Sequence, residues 1–511
     1  MTGARPPGRR RLAACLMVQG SASGVGKSVI ATALCSLLAE EGLLVAPFKA
    51  QNMSNNAAVT KDGREIGRAQ AAQAEAAGIE ATVDMNPILL KPEADDRSQL
   101  VVRGRVVGSF GAREYWARRP ALWPIVASSL RILRQAHDVV VIEGAGSPAE
   151  LNLRRHDIAN MRVARHVRAS VLLVGDIERG GIFAQLLGTL DLLPAAERRL
   201  VAGLIVNRFR GDVSLFAAGS RLLARRARVP VVGILPYHPR LRVPAEDSMS
   251  LDDPPGASAG QLRVAMVAYP RVSNFDDLDP LRWAGITVDV VRRPDEVGMP
   301  DLVVLPGSKA TIADLDWMRR TGVATAVVRA ADAGVPILGI CGGFQMLGQR
   351  LDDSDAIEGP ARNVAGLGLL PVQTRFSAPK STRRVAGEIA APGASLFPAA
   401  TRFEGYEIHM GVTDLGTAQP FASVWSGRAG AARPDGAVSR DGLVMGTYVH
   451  GLFAASVVDA VLESLRRRRG WAGRLPGSTS DSEASLVAWL RRGADVQRIL
   501  AMVRRGQVAP S

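Results

Sequence analysis

One of the three cysteines is set among small residues, in the run PILGICGGFQMLG from Pro336 to Gly348, where a thiol could do chemistry. An apolar strand leads into Cys341 and the start of a helix follows it. A thiol on such a turn stands at the top of a sheet. The N–H groups beyond it, with the helix N-terminus, can stabilise a developing oxyanion. Gly342 and Gly343 would let a substrate come close to the backbone. A thiol nucleophile needs a base, usually histidine. Of the six histidines, only His409 and His450 lie in the same half of the chain as Cys341. His450, in GTYVHGLF, directly follows an apolar strand, at the carboxyl end where open α/β sheets form their sites. His409, in GYEIHMG, lies on another strand.

A second chemistry lies near the N-terminus. QGSASGVGKSVIATAL follows the first apolar strand and opens a helix. Gly20, Gly24 and Gly26 make a glycine-rich loop that can turn its N–H groups toward phosphates. Lys27 would reach the outer phosphates, and the Ser28 hydroxyl could ligate Mg²⁺. The strict spacing would place a glycine at position 21, where Ser21 stands. Two carboxylates, Glu143 in VVVIEGAG and Asp176 in LLVGDIERGG, end later strands; each alone reads as a solvated loop residue, but their common position at strand ends suits Mg²⁺, Asp176 through water.

These groups need a scaffold, and the patterning supplies one. LAACLMVQG, LLVAPFKA, DVVVIEGAG, SVLLVGDI, LVAGLIVNRF and VPVVGILPY are continuous apolar runs, as in a parallel sheet covered on both faces. Helical stretches lie between them, and the first ends at Gly42. A second α/β series follows: LRVAMVAYP, GITVDVVRR, DLVVLPGS and PILGICGG. The division expected is a P-loop domain over 12–245, a linker over 246–261, a second α/β domain over 262–460 and a helical tail over 461–511. The bland expectation for the tail is packing on the second domain.

Composition narrows the classes. With 63 Lys+Arg against 49 Asp+Glu the net charge is +14. The arginines are spread along the chain and no basic helix with interleaved aromatics stands out, so nucleic acid is not the expected partner. A basic surface would draw in anionic substrates. No run of about 18 apolar residues is present, so no membrane span is expected. Three cysteines without CxxC spacing fit a reducing cytoplasm.

The motifs LPGSKAT, GICGGFQMLG and GTYVHGLF, in that order, resemble the class I glutamine amidotransferase domain. The resemblance implies a flavodoxin-like fold, in which Cys341 attacks the glutamine amide, His450 is its base, and the backbone of Gly342, Gly307 and Ser308 forms the oxyanion hole. The family's usual glutamate two residues after the histidine is replaced by Leu452. Its substitute is unassigned, with Glu404 and Glu407 as guesses. The glycine loop resembles that of dethiobiotin-synthetase-like ATPases. That likeness implies that Lys49 lies near the reacting carboxylate and γ-phosphate and that Asn207 contacts adenine. It also marks Gly24 as a departure, since many relatives have aspartate there.

KAQNMSNNAAVT, DMNPILLKP, EGAGSPAELNL and DIERGGIFAQLLGTL extend the resemblance over nearly the whole chain, to the family of cobyrinate and cobyric acid amidases. This implies ATP, Mg²⁺ and glutamine as ammonia donor. It also implies a corrinoid substrate, with amidation of the b, d, e and g carboxylates of adenosylcobyrinic acid a,c-diamide. QNMSNN and DMNPILLKP are candidate segments for the corrinoid pocket. The alternatives are the related a,c-diamide synthase and a MinD-like regulatory P-loop ATPase. Neither the oligomeric state nor the order of the amidations is readable.

Overall fold

The computed structural model describes residues 12–238, 241, 243–244, 262–390, 395–427, 430–471 and 485–507. The expected linker 246–261, and the polar break AGRLPGSTSDSE, lie outside the described residues.

All six apolar runs of the first half form one parallel sheet. Its spatial order is Val231–Pro236, Val201–Phe209, Ser170–Asp176, Ala14–Gly20, Val139–Glu143, Val45–Phe48. Strands without polar alternation are buried on both faces, and these are covered on both. The register pairs Gly20 with Val174, Val18 with Glu143, and Asp176 with Asn207. The carboxyl ends of the four central strands therefore bring the glycine loop, Glu143, Asp176 and Asn207 to one edge. The helix Lys27–Glu40 packs its apolar side on this sheet, and Gly42 follows its end in the left-handed conformation that favours glycine.

The second sheet runs Thr287–Val291, Arg263–Val267, Leu302–Leu305, Ile337–Ile340, Val444–Thr447, all parallel, with Ala437–Val438 antiparallel at its edge. Between Ile340 and Ala437 the chain leaves it. Part of that excursion builds a five-stranded antiparallel sheet containing Ser381–Ile389, Arg402–His409 and Val449–His450. All four apolar segments of the second series lie in the parallel sheet, and His409 and His450 come from the antiparallel one.

The tail departs from expectation. A helix at Ala455–Arg468 runs through the boundary drawn at 460 and packs within the second domain. The last two helices, Leu486–Gly493 and Val496–Gln507, return to the first domain. Val487, Trp489, Leu490, Ile499, Leu500, Met502 and Val503 join the core of Leu16, Leu34 and Val232. Trp489 donates its indole N–H to the Pro236 carbonyl at 2.8 Å, and Arg491 pairs with Glu41 at 2.8 Å. The edge of the parallel sheet at Val231–Pro236 offers an apolar face for these helices to bury.

A seam joins the two domains. Arg68 pairs with Asp276 at 2.7 Å, Lys309 with Glu93 at 2.8 Å, and Glu65 lies between Lys91 and Lys380. Ala57, Val59, Leu89 and Val101 of the first domain pack with Tyr406 and Ile408 of the second.

Candidate active site

Cys341 stands between the strand Ile337–Ile340 and the helix Gly342–Leu347, with φ 54° and ψ −110°. A non-glycine residue pays strain at such a φ and keeps it only where the surroundings hold it. Here the Cys341 amide donates to the Thr447 carbonyl at 2.8 Å, and Gly343 donates to the Pro306 carbonyl at 3.1 Å. The glycines around the thiol serve packing as well as access. A Cβ on Gly343 would run into the Leu305 carbonyl, and one on Gly446 into the Phe344 ring. A Cβ on Gly342 would stand 2.8 Å from the Ser308 amide nitrogen, so the two expected oxyanion elements face each other. Ser308 is held by a short antiparallel pairing of Gly307–Ser308 with Val272–Ser273, and its hydroxyl donates to Asp314 at 2.6 Å.

The structure brings His450 to Cys341. The Cys341 thiol donates to the Ile408 carbonyl at 3.5 Å and is also within hydrogen-bond reach of His450. His450 Nδ1 lies 2.7 Å from Asp277 Oδ2, while the other carboxylate oxygen of Asp277 accepts the Gly451 amide at 2.8 Å. Tyr406 stacks on the imidazole with ring centroids 5.5 Å apart. Burial alone would lower the His450 pKa. The negative charge of Asp277 first, and then Cys341 beside the ring, outweigh it and push it up to about 10. His450 therefore holds a proton at neutral pH.

Asp277 is the residue that the sequence reading missed. Glu404 and Glu407, the guesses for this role, are placed otherwise. Strand alternation turns Glu404 to solvent, and Glu407 is buried under Arg433 and Arg383. The only signal for Asp277 was a run of acids, NFDDLDP, after the first strand of the second domain. No spacing rule links it to a histidine 173 positions away. His409 lies flat on Tyr448, with ring centroids 3.8 Å apart. Burial first, and then Arg383, lower its pKa to about 4.

The turn carrying Asp277 is anchored to the other domain. Its neighbour Asp276 pairs with Arg68. Asn274 accepts the Asp277 amide at 3.0 Å; its own amide donates to Asn56 Oδ1 at 2.7 Å, and its side chain donates to the Ala57 carbonyl at 2.7 Å and to Tyr406 at 2.9 Å. Asn56 belongs to QNMSNN, so part of that segment builds the seam.

At the phosphate-loop edge, Gly24 and Gly26 have φ of 71° and 95°, which the turn into the helix requires. Lys27 Nζ donates to the Ala22 carbonyl at 3.0 Å, folding over the loop. Glu143 is fully buried and gathers three donors: Ser28 Oγ at 2.8 Å, Lys49 Nζ at 2.9 Å and Gln73 Nε2 at 2.6 Å. Ser28, Lys49 and Glu143 are thus brought together, with Lys27 folded over the adjoining loop. Asn207 braces the loop by donating to the Val25 carbonyl at 2.8 Å. Asp176 is occupied by Arg208 at 3.0 Å and by the Glu178 amide at 2.9 Å. No group of three or more His, Cys, Asp or Glu side chains fit to hold a metal ion occurs among the described residues. Ser28 and Glu143 nonetheless offer the hard oxygen donors suited to an Mg²⁺ held mainly by nucleotide phosphates and water.

Family models match both halves. Residues 16–251 match the CobQ/CobB/MinD/ParA nucleotide binding domain, and residues 263–458 match the CobB/CobQ-like glutamine amidotransferase domain. A nucleotide-binding domain joined to an amidotransferase domain makes the chain a glutamine-dependent amidoligase. Its relatives narrow the class. The chain is 50% identical to a cobyric acid synthase of Sorangium cellulosum over 89% of its own length and 91% of the relative's. It is 44% identical to one of Dehalococcoides mccartyi over 97% and 100%, and 47% identical to one of Herpetosiphon aurantiacus over 91% and 92%. The chain belongs to the cobyric acid synthase family, whose place is in cobalamin biosynthesis, and the reading as a MinD-like regulatory ATPase is set aside.

Proposed function

We propose that the chain amidates the b, d, e and g side-chain carboxylates of adenosylcobyrinic acid a,c-diamide to give adenosylcobyric acid, with ATP as activator and glutamine as nitrogen source. The arrangement of Cys341, His450 and Asp277 carries this reading. In it the Cys341 sulfur attacks the glutamine amide carbon. The Gly342 and Ser308 amides take up the charge on the oxygen, and His450 hands its proton to the departing ammonia. Water then hydrolyses the thioester to glutamate, with His450 as base. Asp277 keeps the imidazole oriented and charged.

A carboxylate repels nucleophiles and has no good leaving group. Attack of its oxygen on the ATP γ-phosphorus gives an acyl phosphate and ADP. Ammonia then adds to the acyl carbon and phosphate departs. This step needs positioning and charge neutralisation, which Lys27 and Lys49 would provide. Bound between Ser28 and Glu143, Mg²⁺ would neutralise charge on the phosphates. Glu143 also holds Lys49 in place.

Ammonia released into water would be mostly ammonium. The apolar seam of Ile408, Tyr406, Ala57, Val59, Leu89 and Val101 starts at the carbonyl that accepts the Cys341 thiol. Its burial supports the reading that ammonia crosses the seam out of solvent.

Cys341→Ala tests the division of labour. Glutamine-dependent synthesis should be abolished and ammonium-dependent synthesis retained, with product counted by mass spectrometry, since each OH-to-NH₂ exchange lowers the mass by about one unit. Loss of both activities in a folded variant would overturn the scheme.

A further inference from the structure

One feature that this scheme does not use is a cavity of about 1040 Å³ in the first domain. It opens between the strand Gln51–Met53, the helix Ala112–Ala136 and the loop that follows Glu143. Its walls combine aromatic rings with cations. Phe110, Tyr115, Trp116 and Trp123 supply apolar surface, and Arg162 lies over the Trp123 ring at 4.2 Å. The space is at the upper end of ordinary small-molecule sites, so it suits a ligand of macrocycle size.

Arg119 is the informative residue. It is 9% exposed, lines this cavity, and its Nε has no hydrogen-bond partner among the described residues. Its guanidinium carbon lies 5.1 Å from the Trp116 ring centroid. A buried guanidinium without an acceptor is costly, and one acceptor of matching geometry is a carboxylate. Of the acids on the cavity wall none pairs with Arg119, and Asp95 is held by Arg271. Glu197 pairs with Arg154 at 2.8 Å, and Asp157 accepts the backbone amides of Ala159 and Asn160. A ligand entering the cavity can supply the acceptor that no described residue gives Arg119 Nε.

The cavity also meets the phosphate edge. Gln51 lies two residues beyond Lys49, and Ala145, Gly146 and Ser147 follow Glu143. A Cβ on Gly146 would stand 3.9 Å from Ser23 Oγ of the glycine loop. A ligand here could present one carboxylate to the γ-phosphate while others remain against the arginines.

We propose that this cavity holds the corrinoid, its ring edge against Trp116 and Trp123, with Arg119 receiving a side-chain carboxylate that is not the one reacting. The assignment rests on the corrinoid reading above. Met53, Leu90 and Pro92 line the cavity too, so QNMSNN and DMNPILLKP each divide between it and the seam.

The test is titration of the full-length protein with cobyrinic acid a,c-diamide, followed by quenching of tryptophan fluorescence. ATP-analogue binding and melting temperature are measured alongside. Arg119→Met should weaken corrinoid binding by ~10–100-fold, the worth of one hydrogen bond to a charged group. ATP binding should not change, and Arg119→Lys should recover part of the loss. Arg155→Glu, an exposed change on the cavity wall, should weaken binding more at low salt than at high salt and serves if Arg119→Met does not fold. Unchanged corrinoid affinity in these variants, with wild-type protein binding and amidating the corrinoid, would overturn the assignment alone. Wild-type protein that neither binds nor amidates the corrinoid would overturn the substrate reading and this assignment with it.

Discussion

Asp277→Asn isolates the contribution of the residue that orients His450. The two carboxylate oxygens of Asp277 each accept one bond, from His450 Nδ1 at 2.7 Å and from the Gly451 amide at 2.8 Å. Asparagine has one acceptor oxygen, so one of those buried donors would face an NH₂ group. The charge is lost as well. His450 is raised from 6.5 to about 10, on the order of 5 kcal/mol in favour of the imidazolium, and Asp277 contributes more to it than Cys341 does. Without that carboxylate, burial prevails and the imidazole loses its proton at lower pH. Glutamine-dependent synthesis should fall by ~10²–10⁴-fold, the range typical of a general acid–base function. Ammonium-dependent synthesis should persist, and the alkaline limb of any residual glutaminase activity should move to lower pH. The sign for stability is the same. A raised histidine pKa contributes fully below pH 6.5 and is lost as pH rises through about 10, so the variant should show a flatter alkaline decline in melting temperature. A variant with near wild-type glutaminase and an unmoved alkaline limb would refute the assignment of Asp277.

Lys27→Ala should remove both glutamine- and ammonium-dependent synthesis, since a charge on a transferring phosphoryl group is worth several kcal/mol of barrier; ammonium-dependent turnover near wild type would remove the phosphate loop from the scheme. His450→Asn should behave like Cys341→Ala, while His409→Asn, whose native imidazole is already neutral at pH 7, should keep measurable glutaminase. Labelling of Cys341 by an electrophilic glutamine analogue checks this, and the reverse pattern would exchange the two histidines. Truncation after Trp471 should destabilise the nucleotide domain in thermal unfolding, because Trp489, Leu490, Ile499 and their neighbours each bury roughly 1.5–3 kcal/mol of apolar surface there. Loss of stability confined to the amidotransferase domain would contradict the observed packing.

Local order along the chain sufficed for much of this protein. The continuous apolar runs specified buried parallel strands, because a strand covered on both faces cannot alternate. QGSASGVGKS and PILGICGGFQ each showed a strand, a turn and a helix start within about a dozen residues, which is all that a phosphate loop or a strained thiol turn requires. The histidine at a strand's carboxyl end was legible for the same reason. What depended on distant neighbours was not. Asp277 reaches His450 only because the acidic turn is anchored through Asn274 and Asp276 to Asn56 and Arg68 of the other domain. The last two helices carry an apolar stripe that would fit either sheet, and only the open face beside Val231–Pro236 decides which one they cover. Arg119 reads as one more arginine in an arginine-rich chain. Its buried, unpartnered nitrogen exists only once strand, helix and loop have closed around the cavity, because burial is a property of the assembled fold.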